Sequence, residues 1–226
     1  MPLKTGAEGT RERNTRIFEG RFGSLYRFYM EHEPVSRLVA GLIWGGNIRP
    51  FYASMRAIAQ VPSGGTVIDA PCGAGVALRG VSPGQEVKYM ALDLSPAMLA
   101  RARDVAAQRK LNQITFVEGD IESLPFEDQS ADLFLSYWGL HCVADPEQAI
   151  GEAHRCLRPG GRLVGSAIVS GQSLRQRLLV RPHHSAFGKV GSAADLQGWL
   201  EARFGQARIG VSGALAFFDA RRPESA

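Results

Sequence analysis

Cysteine is scarce in this chain: Cys72, Cys142 and Cys156 are three in 226 residues, odd in number and widely spaced. With no Cys-x-x-Cys pair, this fits a reducing, cytoplasmic compartment better than a disulfide framework or a zinc site, so no metal is expected. Long apolar runs are missing too; without a stretch of about 18 such residues, no spanning helix is expected. The N-terminal residues mix Glu8 and Glu12 with basic side chains and lack a continuous apolar core, so they do not read as a signal peptide. Charge of one sign is also in short supply. The net charge is only +4, and no stripe of Lys and Arg interleaves with aromatics, so nucleic acid is not an expected partner. No internal repeat is present.

What remains is ordinary globular material, 45% hydrophobic and 21% charged, long enough for one α/β domain with a sizeable core. Residues 1–60 read as a polar tail followed by a helical cap, and residues 61–226 as the main domain, the two forming one structural unit. In the cap, Phe18, Phe22, Leu25, Tyr26 and Tyr29 fall on one helical face. A second helix is expected from Glu33, with Pro34 in its first turn, to about Trp44, and a third over 50–60.

Strands and helices then alternate. Strands are expected at 66–70, 87–93, 114–118, 131–137 and 162–169, and helices at 76–80, 96–109 and 146–157. Ser95-Pro96 and Asp145-Pro146 are helix starts, a capping side chain followed by Pro in the first turn. Pro159-Gly160-Gly161 is expected to stop the helix begun at Pro146. Repeated strand–helix–strand units imply a doubly wound, mostly parallel α/β sheet. After a basic segment over 170–192 and a helix over 193–203, strands at 206–212 and 214–219 predict an antiparallel hairpin at the sheet's end, for seven strands in all.

Chemistry concentrates at the carboxyl ends of successive strands, where open α/β sheets bind ligands. Asp69 ends the first strand and precedes a turn in which Gly73 and Gly75 let the backbone press against a ligand. A helix from Val76 to Arg79 would aim free N–H groups at it. Asp93 ends the second strand and can accept both hydroxyls of a ribose. Asp120 follows the third and can accept from a purine amine. Ser136-Tyr137-Trp138-Gly139-Leu140-His141 closes the fourth. Each feature alone is weak: a single Asp at a strand end is often a helix cap, and the third glycine of a dinucleotide fingerprint is replaced by Leu78. Asp132, at the start of the fourth strand, reads as structural.

Taken together, four motifs resemble the class I S-adenosylmethionine-dependent methyltransferases, and among them the small-molecule branch with quinone and sterol methylases. They are Val67–Gly75, Leu92-Asp93-Leu94-Ser95-Pro96-Ala97-Met98-Leu99, Gly119-Asp120-Ile121-Glu122-Ser123-Leu124-Pro125-Phe126 and Leu157-Arg158-Pro159-Gly160-Gly161. The resemblance covers about residues 60–220 and implies a Rossmann-like fold with S-adenosylmethionine as cofactor. It places Asp69, Cys72, Gly73 and Gly75 at the methionine portion and Asp93 at the ribose. Leu94 and Met98 would flank the adenine, Asp120 and Ile121 would meet its edge, and Tyr137 and Trp138 would border the sulfonium. Pro71-Cys72 departs from the pattern, since a glycine is common there.

The activity implied is methyl transfer to oxygen or carbon of a small apolar or amphipathic acceptor, such as a lipid, quinone or polyketide. His141 is the first candidate base, with a loop-shaping histidine as the alternative reading. Tyr26, His32, Arg175, His183 and His184 are the candidate acceptor contacts, against core packing for the aromatics and solvated surface for the basic run. Cys72 and Cys142 read as packing residues, not nucleophiles. An RNA or protein methylase is disfavoured because no Asp-Pro-Pro-Tyr-type signature follows the fourth strand. A non-catalytic cofactor-binding protein stays open. The assembly is expected to be a monomer or homodimer, with peripheral membrane contact left open.

Overall fold

The structure, a computed structural model, describes residues 32–170 and 191–224. Seven strands form one sheet: β1 (Thr66–Asp69), β2 (Lys88–Asp93), β3 (Ile114–Glu118), β4 (Ala131–Tyr137), β5 (Leu157–Ile168), β6 (Ala207–Ser212) and β7 (Leu215–Arg221). Their order is β3-β2-β1-β4-β5-β7-β6. The first five run parallel, while β7 pairs antiparallel with both β5 and β6. This is the expected Rossmann-like, doubly wound sheet ending in a hairpin. The chain reverses direction outward from β1, towards β2 on one side and β4 on the other, which makes the tip of β1 the switch point where ligands bind in such sheets.

Alternation along the strands separates two cores. Val67, Tyr89, Leu133, Leu135, Tyr137 and Phe217 face one layer with cap residues Phe51, Met55 and Ile58. Ile68, Leu92, Phe134, Leu163 and Phe218 face the other, together with Ile150 and Leu200. The first layer holds α1 (Glu33–Val39), a wide π turn (Ala40–Trp44), α2 (Arg49–Ser54), a 3₁₀ stretch (Met55–Gln60) and α3 (Pro96–Gln108); the second holds α4 (Pro146–Cys156) and α5 (Ala193–Phe204). Helix starts follow from the capping side chains. Ser95 Oγ accepts from the Met98 amide, Asp145 Oδ1 from those of Glu147 and Gln148, and Ser192 with Asp195 closes a reciprocal capping box.

Three expectations require correction. Val76–Gly80 is a single 3₁₀ turn and not an α-helix; one turn presents too few aligned peptides to act as a helix N-terminus. The second cap helix does not run evenly to Trp44 but widens into the π turn at Ala40. Pro159-Gly160-Gly161 does not stop α4. The helix already ends at Cys156, and β5 begins at Leu157 opposite Ala131, so the Pro-Gly-Gly run lies inside the strand at a register irregularity. Asp132 is structural as expected: its Oδ2 accepts from the Thr66 amide and from Arg158, each at 2.7 Å, tying β4 to the start of β1.

Candidate functional site

At the carboxyl end of β1, Asp69 is buried, and its Oδ2 accepts from the Tyr89 hydroxyl at 2.9 Å. Burial pushes its carboxyl up to about 7; the Tyr89 bond opposes that rise and the nearby Asp93 charge adds to it. Tyr89 was not foreseen as a site residue, though a tyrosine in a fully buried strand must find a partner for its hydroxyl.

The following turn is held onto β2. The Cys72 amide donates to the Leu92 carbonyl at 2.8 Å, and the Gly73 amide donates to Asp93 Oδ2 at 2.8 Å. Gly73 and Gly75 have φ of +53° and +81°, a region that side chains strain to adopt. Beside Gly73, no atom of the described residues other than its chain neighbours stands within 4 Å of where a Cβ would be, so the turn presents bare backbone. At Gly75 a Cβ would press on Leu78 and Ala102 at 3.0–3.2 Å, so the absence of a side chain lets the turn sit on α3. The Cys72 thiol is buried and pushed up in pKa chiefly by desolvation, which keeps it protonated and inert, as a packing residue should be.

Asp93 joins the turn to the next helix, because its other oxygen, Oδ1, accepts from the Ser95 amide at 2.9 Å. Burial raises its carboxyl to about 6, against the pull of the Ser95, Gly73 and Leu94 amides. Met98 is buried and Leu94 half-buried just beyond. The Gly119 amide donates to the Asp93 carbonyl, which brings the β3 loop alongside. There Asp120 is half-buried with Oδ1 accepting from Glu122, and Ile121 is buried. Asp69, Asp93 and Asp120 thus sit at the ends of three neighbouring strands, joined by loop amides, as the sequence pattern requires.

The tip of β4 closes the other side. The Tyr137 hydroxyl shares a hydrogen bond with Ser54 Oγ at 2.9 Å, and burial raises its pKa, so it stays a neutral phenol. Its ring meets Phe51 edge-on with centroids 5.0 Å apart. Trp138 has a φ of +57°, costly for a bulky side chain, and its indole lies 5.4 Å from Phe51 and 6.3 Å from Phe217. The indole Nε1 is buried and has no hydrogen-bond partner among the described residues. Gly139 follows, and a Cβ there would stand 2.2 Å from Pro71 Cδ, so the β4 loop and the β1 turn touch at bare backbone. Ser54 and Phe217 join this layer unforeseen. The first carries no sequence signal beyond capping chemistry, and the second only the alternation of β7.

His141 is placed differently from the expectation. It is buried, its Nδ1 accepts from the Ile168 amide at 3.2 Å, and burial drops its pKa to about 3. It borders, with Leu140, Ile168, Leu196 and Trp199, a cavity of only about 10 Å³, too small to admit an acceptor. The geometry is that of the loop-shaping alternative. His32 is exposed at the N-cap of α1. Tyr26, Arg175, His183 and His184 lie outside the described residues. No group of three or more His, Cys, Asp and Glu able to hold a metal occurs among the described residues. Nor is any helix among them long and apolar enough to cross a membrane.

Comparison with known proteins agrees with these motifs. Residues 68–165 match a family described as a methyltransferase domain. Demethylmenaquinone methyltransferase of Thermus thermophilus is 41% identical over 101 residues, 43% of this chain and 44% of that protein. A ubiquinone/menaquinone biosynthesis C-methyltransferase of Methylobacterium nodulans is 38% identical over 100 residues, 43% of this chain and 40% of that protein. This chain therefore aligns with about two fifths of the length of these curated relatives. Among solved structures, phosphoethanolamine N-methyltransferase 2 of Haemonchus contortus, determined with S-adenosylhomocysteine, superposes with a TM-score of 0.71 at 13% identity. The match covers 98% of this chain and 61% of that one, and it speaks to fold alone.

Proposed function

We propose that this chain, similar through its methyltransferase-type segment to class I S-adenosylmethionine-dependent enzymes, transfers a methyl group from S-adenosylmethionine to a small apolar ring acceptor of the quinone or phenol class. The observation that carries the reading is the Asp93 carboxylate bridging the glycine turn of β1 to the start of α3, with Asp69 and Asp120 on either side.

The residues present fit such a cofactor. Asp69 is a buried carboxyl whose only hydrogen-bond donor among the described residues is Tyr89, so its other oxygen keeps lone pairs for a cationic amine. Bare backbone at Gly73 gives a ligand access to the turn. Asp93 and Asp120 each retain lone pairs for hydroxyl and amine donors, and Leu94, Met98 and Ile121 supply apolar cover. When bound, S-adenosylmethionine supplies a methyl group already activated on a cationic sulfur. The protein's share is alignment and exclusion of water. Tyr137 and Trp138 wall the tip of β4 with rings, and Phe51 and Phe217 back them. No general base is assigned: His141 spends its Nδ1 lone pair on Ile168, and Tyr137 does not ionise. Attack by the ring carbon of an electron-rich phenol or hydroquinone suits such a site, since the acceptor can lose its proton to solvent afterwards.

Calorimetric titration with S-adenosylhomocysteine tests the cofactor half, and labelled methyl transfer to a demethylated naphthoquinol tests the acceptor half. Binding and turnover are expected. Absence of any heat with the nucleoside overturns the cofactor assignment, whereas binding with transfer only to water-soluble polar acceptors overturns the acceptor class.

A further inference from the structure

The described chain leaves four large apolar side chains in water: Leu38 and Leu42, each 62% exposed, Val211 at 45% and Ile43 at 39%. Their positions converge. Leu38 and Leu42 lie one turn apart across the junction of α1 and the π turn, and Ile43 is next in the chain. Val211 lies one residue before Ser212. The carbonyl of Ser212 would stand 2.1 Å from a Cβ at Gly46, and its hydroxyl accepts from the Asn47 amide at 2.8 Å. The Ala214 amide donates to the Trp44 carbonyl at 3.0 Å, so the β6–β7 turn and the end of the π turn form one corner of the molecule.

The charge in the sequence around this corner is mostly positive. From Pro34 to Ile68 the sequence holds Arg37, Arg49 and Arg56 and no carboxylate, and from Ala202 to Phe218 it again holds none. Arg37, Arg49 and Arg56 are all exposed. Glu33, which pairs with Arg37 at 2.7 Å, is the nearest acid in sequence. Inward of the corner, Trp44, Phe51 and Tyr52 pack on the core towards Tyr137 and Trp138.

We propose that this corner is a docking surface for an anionic lipid bilayer, with Leu38, Leu42 and Ile43 entering the headgroup–acyl boundary and the arginines meeting lipid phosphates. Exposed apolar side chains on one helical face, with exposed arginines in the same stretch of chain and Glu33 as the one acid on α1, fit that surface on both counts. The inference goes beyond the acceptor reading and does not rest on it, though an acceptor dissolved in lipid would reach the site from this side.

The test is sedimentation of the full chain with vesicles, without cofactor or acceptor. One set is neutral phosphatidylcholine, and the other contains about one third phosphatidylglycerol. The intact protein is expected to bind the anionic vesicles and to lose most of that binding on neutral ones. The double variant Leu38→Ser, Leu42→Ser should weaken partitioning roughly tenfold or more. Arg49→Glu should weaken it less and mainly at low salt. Thermal melts of both variants should match the unsubstituted protein, because the altered side chains are exposed. Failure of the intact protein to bind anionic vesicles overturns the proposal, and so does equal binding by the double variant. A concentration-dependent dimer that the serine variant abolishes also overturns it, by assigning the corner to a second copy. Loss of S-adenosylhomocysteine binding would instead strike the proposed function and leave this surface standing.

Discussion

Asp93 at the end of β2 and Gly73 in the turn after β1, twenty residues apart, are joined by a hydrogen bond of 2.8 Å from the glycine amide to the carboxylate. The same carboxylate caps the Ser95 amide, so one side chain fixes both the turn after β1 and the entry to α3. Asp93→Ala is therefore expected to loosen the cofactor cleft before it unfolds the domain. A lost charged acceptor costs about 1.5–3 kcal/mol, which corresponds to a loss of S-adenosylhomocysteine affinity of about tenfold or more. Calorimetry on the variant checks it, and unchanged affinity would remove Asp93 from the site.

Gly139→Ala sets a methyl group against the Pro71 ring at 2.2 Å, and a proline ring has little freedom to swing aside. The β1 turn or the β4 loop must shift. Expected outcomes are destabilisation of about 1–3 kcal/mol and a cofactor affinity loss that exceeds the effect on melting. Gly84→Ala provides the comparison. Unlike Gly139 it has a left-handed φ, but nothing among the described residues lies within 4 Å of its Cβ position, so it should carry a strain cost with no loss of affinity.

His141→Asn offers an amide oxygen in place of Nδ1 and should keep turnover within a few-fold of the parent. His141→Phe strands the Ile168 amide and should cost about 1–3 kcal/mol in stability. Burial holds this imidazole neutral to about pH 3, below its unfolded value of about 6.5, so its contribution to stability is present above about pH 6.5 and declines as pH falls. The asparagine variant should flatten the acid side of the melting profile. A turnover profile that loses an inflection near neutral pH in this variant would restore His141 as the base.

Asp69 behaves in the opposite sense. Its folded carboxyl, held by burial at about 7, retains a proton that the unfolded chain releases near pH 4. The stability it contributes is therefore full below about pH 4 and is lost as pH rises through about 7. Relative to the parent, Asp69→Asn should gain melting temperature between about pH 4 and pH 7 and level off above that. A difference that stays constant over that window would show that Asp69 does not titrate there.

Much of this could be read from the residues because local chemistry and tertiary position agree. Ser95-Pro96 and Asp145-Pro146 start helices where capping side chains say they should, and the three acids fall at strand ends because apolar runs stop just before them. Readings failed where local signals were overruled. Pro159-Gly160-Gly161 looks like a helix stop, yet pairing of Leu157 with Ala131 had already drawn the chain into the sheet. His141 looked available because it follows a strand tip, but nothing local records that Ile168, 27 residues on, would present an amide to it. Likewise Tyr89 and Phe217 enter the site only through the register of β2 and β7, which depends on partner strands far along the chain.

The indole of Trp138, wedged between Phe51 and Phe217 with its N–H shielded from water, gives the molecule a built-in optical gauge. Of its three tryptophans, this is the one at the tip of β4, so emission should respond when a nucleoside fills the neighbouring cleft. With Trp138 replaced by phenylalanine, that response should vanish, leaving Trp44 and Trp199 as silent witnesses.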